Sequence, residues 1–253
     1  MMKQPIKILS LASCLLFFTQ CDTLNQLATA NGTSPSAPTG GSSSVSSSEA
    51  ASGIKQALSQ GLDRSIQSLA ATDGFLGNAA VKILMPPEAQ KVESALRSIG
   101  LGSLCDNLIQ SLNRAAEGAV KEAAPVFVSA LSQLTIRDAT NILLSGQQDA
   151  ATQFFKRTTT EELASRFSPI VDGALGKHNV AQYWSAVVTR YNQIPLINEK
   201  IETDLTKYVT RKAIDGLFHQ VAAEELNIRE NLAARTTPLL KKVFGYADNQ
   251  KNY

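Results

Sequence analysis

An all-α fold is what this sequence predicts: one multi-helix domain of eight or nine helices behind a disordered N-terminal leader. Three observations carry the prediction. Past Gly53 the apolar residues recur at spacings of three and four, the period of one helix face, with no convincing series of alternating strands and turns. Capping residues and prolines punctuate the apolar runs at helix-like intervals. The stretch from Asn31 to Ser52 is almost wholly Gly, Ser, Thr, Pro, Ala and Asn, a composition that buries too little apolar surface to offset the entropy of ordering it.

Taken in order, Ile54, Leu58, Leu62, Ile66 and Leu69 form one face of a first helix over 53–70. A loop at Thr72-Asp73-Gly74 follows, and Val81-Lys82-Ile83 alternates like a short extended piece. Pro87 suits the first turn of a helix ending at Gly100. A long helix from about Leu104 should bend or break at Pro125, because proline removes a backbone donor and clashes with the preceding turn. Thr135 with Asp138 opens a helix that Gly146 can close, and Asp149 can cap the next. Thr160 precedes a helix ending near Gly176, and Asn179 one that stops before Pro195. A long helix over 204–227 and a short one from Pro238 to a stop at Gly245 complete the series.

The leader reads as an address. Lys3 and Lys7 precede an apolar run from Ile8 to Phe18, about half of the roughly 20 residues a bilayer-spanning helix needs, so the run is an export signal and not a permanent anchor. Cys21 then follows, as the lipidated cysteine follows a lipoprotein signal, although Gln20 stands where a small residue is usual. Cys14 after Leu11-Ala12-Ser13, and cleavage after Ala28-Thr29-Ala30, stay open as other processing points. The expected organisation is a signal over 1–20, an attachment cysteine and tether over 21–52, the helical domain over 53–246 and a polar tail over 247–253. A flexible tether of that length reaches about 30 Å. The expected place is the Gram-negative cell envelope, on the periplasmic side or at the outer membrane, with the membrane as a partner through the lipid anchor.

Composition narrows the chemistry. Lys and Arg number 24 against 22 Asp and Glu, and removing Lys3 and Lys7 with the leader brings the formal charge to zero. No basic stripe suggests nucleic acid. Beyond Cys14 and Cys21 the only cysteine is Cys105, which falls within the apolar stripe of Ile109, Leu112, Ala116 and Ala119 and is expected to be buried and inert. His178 and His219 are the only histidines, and neither lies in a nucleophile elbow. No zinc spacing, phosphate loop or calcium loop is present, so neither metal nor cofactor is expected.

Three places hold polar residues that need an explanation. Glu117, with Asn113 and Arg114 before it and Lys121 after it, reads as one rung of an exposed or boundary charge ladder, with Asn113 nearer the apolar edge and able to bond a neighbouring backbone. Glu225 falls within the apolar arc of Ile214, Leu217, Phe218, Val221 and Ile228, where a carboxylate needs a partner. Arg229 lies one turn on and Arg235 after a short loop. Either these form a salt bridge clamping the last helix onto the domain, or they line a ligand pocket. Finally, Tyr183, Trp184, Val187, Val188 and Tyr191 share one helix face, as core or as the rim of a groove for an acyl chain or peptide.

Several short motifs, namely Asp73-Gly74-Phe75, Asn113-Arg114-Ala115-Ala116-Glu117, Asp138-Ala139, Asp149-Ala150-Ala151-Thr152, Tyr208-Val209-Thr210, Glu224-Glu225 with Ile228-Arg229, and Leu240-Lys241-Lys242-Val243-Phe244-Gly245, resemble in order the bacterial domain of unknown function 4197 family. The resemblance covers roughly 54–245. It implies an exported, often lipoprotein-like helical domain and carries no catalytic residue. The expected function is a non-catalytic envelope protein that binds another envelope component. The alternatives are an envelope hydrolase using paired carboxylates such as Glu224 and Glu225, or a pocket for an apolar ligand.

Overall fold

Ser46 opens the first helix with a capping box: its hydroxyl accepts from the Glu49 amide at 3.2 Å, and the Glu49 carboxylate accepts from the Ser46 amide at 3.0 Å. Helix α1, Ser47–Ala70, therefore starts ahead of the expected Gly53, inside the Ser-rich stretch read as tether. Ala50 and Ala51 are already buried. The computed structural model describes residues 44–177 and 204–250, with Val180, Trp184, Ser185 and Thr189 between them; the leader with Cys14, Cys21 and Ala30 lies outside the described residues, as do His178, Asn179, Tyr183, Val187, Val188, Tyr191 and Pro195.

Eight α-helices and no strand are present among the described residues. After α1 come α2 (Gln90–Ser98), α3 (Gly102–Val120), α4 (Ala123–Gln133), α5 (Ile136–Leu144), α6 (Ala150–Gly176), α7 (Leu205–Glu230) and α8 (Pro238–Gln250). The fold is all-α, as the periodicity predicts.

Local chemistry accounts for where the elements begin and end. The break between α3 and α4 falls at Lys121–Glu122, ahead of Pro125, since a helix running through would drive the proline ring against the Lys121 carbonyl. Thr135 and Asp138 form the expected capping box of α5. Thr160 does not open a new helix, because α6 is continuous from Ala150. Thr158 and Thr159 instead donate their hydroxyls to the carbonyls of Phe154 and Phe155, at 3.0 and 2.7 Å, which keeps polar side chains compatible with a helix interior. Asp204 caps α7 through the Lys207 amide at 2.9 Å. Gly245 does not stop α8, which runs on to Gln250 and buries Ala247, so the expected polar tail is mostly helix.

Helices α1, α3, α6 and α7 pack on one another, and α4, α5 and α8 close around them. Phe127 meets Phe155 and Phe218 edge to face, with ring centres 5.7 and 6.2 Å away. One helix crossing and one helix–loop contact depend on glycine. A Cβ on Gly53 would stand 2.7 Å from Val243 on α8, and one on Gly216 would stand 2.7 Å from the Phe75 ring. Among the described residues no helix is long and apolar enough to cross a membrane.

Candidate functional site: two buried clamps and an apolar groove

Asp149 sits at the start of α6, yet its side chain makes no capping bond. The role passes to Glu225, reaching across from α7. Its Oε1 accepts from the Ala151 amide at 3.0 Å and its Oε2 from the Thr152 amide and hydroxyl, both at 2.8 Å. Arg229, one turn on, donates to Glu225 Oε1 through Nε and Nη2 and also gives Nη2 to the Ile142 carbonyl at 2.9 Å. One ion pair thus places an anion on the first amides of α6 and a cation on a last-turn carbonyl of α5, each at the helix end whose dipole favours that charge. Both side chains are buried. The void beside them is about 20 Å³, room for a single water and no organic ligand. Of the two expectations for Glu225 the clamp holds, but it fastens the α5–α6 corner and not the last helix.

Arg235 fastens the last helix by other means. Its Nη1 donates to Asp248 on α8 at 2.8 Å, its Nε and Nη2 to the Ile228 and Arg229 carbonyls at the end of α7, and its guanidinium lies 5.4 Å from the Phe244 ring centre. At 2 % exposure it is among the most buried side chains of the described residues.

A second clamp grows from α3. Asn113 pairs its amide with the backbone of Ile83, accepting from the nitrogen and donating to the oxygen at 2.8 Å each, so a side chain supplies the partner the extended piece lacks. Glu117 accepts from the amides of Phe75 and Leu76 with one oxygen and from Arg114 Nη1 with the other, at 2.7 Å, while Arg114 Nη2 reaches Asp73 at 2.7 Å. In place of the exposed or boundary rung expected, Glu117 is buried at 5 % exposure, and Lys121 stands outside the network, exposed. Helix periodicity places Glu117 off the apolar stripe correctly; it cannot show that the 71–86 loop folds over that flank. Asp73 takes a left-handed φ of 65°, and Gly74 is required because a Cβ there would meet the Ser68 carbonyl oxygen at under 3 Å.

The carboxylates of Glu224 and Glu225 do not converge. Glu224 turns toward α1, its Oε2 buried 3.7 Å from Arg64 and without a hydrogen bond, whereas Glu225 faces the α5–α6 corner. His219 is exposed. Among the described residues no group of three or more His, Cys, Asp or Glu is placed to hold a metal ion.

What the described residues do offer is a groove of about 630 Å³ between α2 and α3. Val92 and Leu96 of α2, Leu104, Cys105 and Leu108 of α3, and Met85 and Trp184 wall it, and Asn107, Gln110 and Ser111 line one edge. No charged residue is among these. Cys105 is 2 % exposed, as expected, and Trp184 is 7 % exposed. Of the aromatic face expected as core or as the rim of a groove, Trp184 lines this one; the α2 and α3 walls were not legible from sequence, where the apolar run of Ile99, Leu101 and Leu104 around Gly100 was the available signal.

No curated protein and no solved structure matches the chain. Residues 44–245, from the cap of α1 to the middle of α8, match the family described as "Protein of unknown function (DUF4197)". Matched over most of its length, with the motifs at Asp73, Asn113–Glu117, Ala151–Thr152 and Glu225–Arg229 forming its two clamps, the chain belongs to the DUF4197 family.

Proposed function

We propose that the protein is an exported, non-catalytic module of the cell envelope, tethered through lipidated Cys21, that binds another envelope component in the α2–α3 groove. The observation that carries this is the groove: about 630 Å³, walled by aliphatic, aromatic and thiol side chains with no charged residue among the described lining ones, and within the size range of small-molecule sites. The candidate chemical groups support the same reading. Glu117, Glu225, Arg229 and Arg235 are engaged with helix ends and loop amides, which gives these four a fastening role.

The test is site-specific photocrosslinking in the native envelope. A photoreactive residue at Leu104, on the groove wall, should give a defined adduct. The same residue at Val128, equally exposed but on α4, should not. Equal labelling at both positions would sink the reading.

A further inference from the structure

The geometry points to one occupant for the α2–α3 groove: a single acyl chain of an uncharged or zwitterionic ester lipid, its ester placed against Asn107, Gln110 and Ser111. This deepens the groove reading and rests on it. The tail follows from the walls, since burying apolar surface is the main favourable term they can offer. The ester follows from the edge, where the primary amides of Asn107 and Gln110 can donate to carbonyl oxygens, beside a Ser111 hydroxyl that already donates to the Asn107 carbonyl at 2.9 Å. Charge selects against a free fatty acid, because no Lys, Arg or His is among the described lining residues to receive its carboxylate. Size selects against a protein partner: a stable interface buries about 800 Å² on each side, whereas this is a concave slot under one nine-residue helix.

Two features make entry feasible. Leu104 and Leu101, 56 % and 40 % exposed, carry the apolar surface outward as a lip. Among the described elements helix α2 packs chiefly on α3 and on the preceding turn, and it is bracketed by Pro86-Pro87 and by Gly100 with φ of 82°, the two places where the wall it forms can hinge.

The chain carries its own reporter, because Trp184 is the sole tryptophan and lines the groove. The full chain, purified in the non-acyl detergent cholate, is titrated with the monoacylglycerol of dibromostearic acid, whose bromines quench indole on contact. The expected result is saturable quenching at one lipid per chain, with free dibromostearate binding at least about tenfold more weakly. Leu104→Glu should weaken the monoacylglycerol at least about tenfold with an unchanged helical spectrum, since an acidic residue in the first turn of α3 suits that helix end. Quenching that rises linearly without saturating, that favours the free acid, or that is untouched by Leu104→Glu overturns the inference. If it fails while the Leu104 crosslinker captures a protein, the groove reading stands and the acyl chain falls; if the crosslinker also labels indiscriminately, both fall.

Discussion

Burying a carboxylate is tolerable only when every lone pair has a donor, and Glu225 shows how few residues that takes: two amides, one hydroxyl and one guanidinium. Glu225→Gln keeps the shape but turns an amide NH2 toward groups that are themselves donors, and it leaves Arg229 buried without its counter-charge. Removing one partner of a buried pair costs about 3–5 kcal/mol. Urea unfolding of the variant, followed by helical signal, should show a loss of that order. A loss under about 1 kcal/mol would mean that the pair is not the fastener of the α5–α6 corner. The anomaly was readable in sequence, because Glu225 falls among Ile214, Leu217, Val221 and Ile228 at helical spacing. So was Arg229, one turn on; the other partners were not, since Ala151 and Thr152 lie far away along the chain and nothing in their residue types announces two unpaired amides.

At the scale of elements, local capping rules were right in some places and misleading in others. Thr135 with Asp138 marks α5 correctly. Asp149 marks the right helix start for the wrong reason, because the capping group is Glu225. Ser46 with Glu49 was a legible capping box hidden by the Ser-rich composition around it. Helix α2 is lightly tied among the described elements. Beyond its apolar face, one tie to α3 is Arg97, which bonds Asp106 at 2.7 Å while also pairing with Glu93, and both acceptor and donor are substantially exposed. The Arg97 guanidinium holds the Asp106 carboxyl below its usual value, chiefly through this hydrogen bond, with Arg97 and Lys82 adding charge attraction against a smaller opposing effect of burial. A carboxyl depressed in the folded state contributes stability that is fully present above its unfolded value, about 3.9, and is lost as the pH falls through the lower folded value. Amide protection factors within α2 should therefore drop on acidification below about pH 4, ahead of those in α3 and α7. Asp106→Asn should lower α2 protection already at neutral pH and remove this pH dependence; unchanged protection in that variant would rule out the latch.

For the molecule as a whole, the family motifs turn out to be fastening devices. Asp73 pairs with Arg114, Phe75 with Glu117, and Ala151 and Thr152 with Glu225. That is why the resemblance conveys the fold so fully and the activity not at all: the recognisable residues are spent on holding loops and helix ends, while the groove walls are ordinary aliphatic positions of short helices. The remaining functional information sits in the leader. If Cys21 carries the lipid, the helical domain is attached to the membrane, whose acyl chains are the ligand class proposed to fill the α2–α3 groove. Cys21→Ser should then shift the protein from the membrane fraction to the soluble envelope fraction, and the mature wild-type chain should begin at Cys21 with a mass excess equal to its attached acyl groups. Intact-mass measurement decides between the processing points. A chain starting at Cys14 keeps a lipid anchor but a longer tether, whereas an unmodified chain starting at Asn31 removes the anchor altogether, and any ligand would then have to reach the groove from solution.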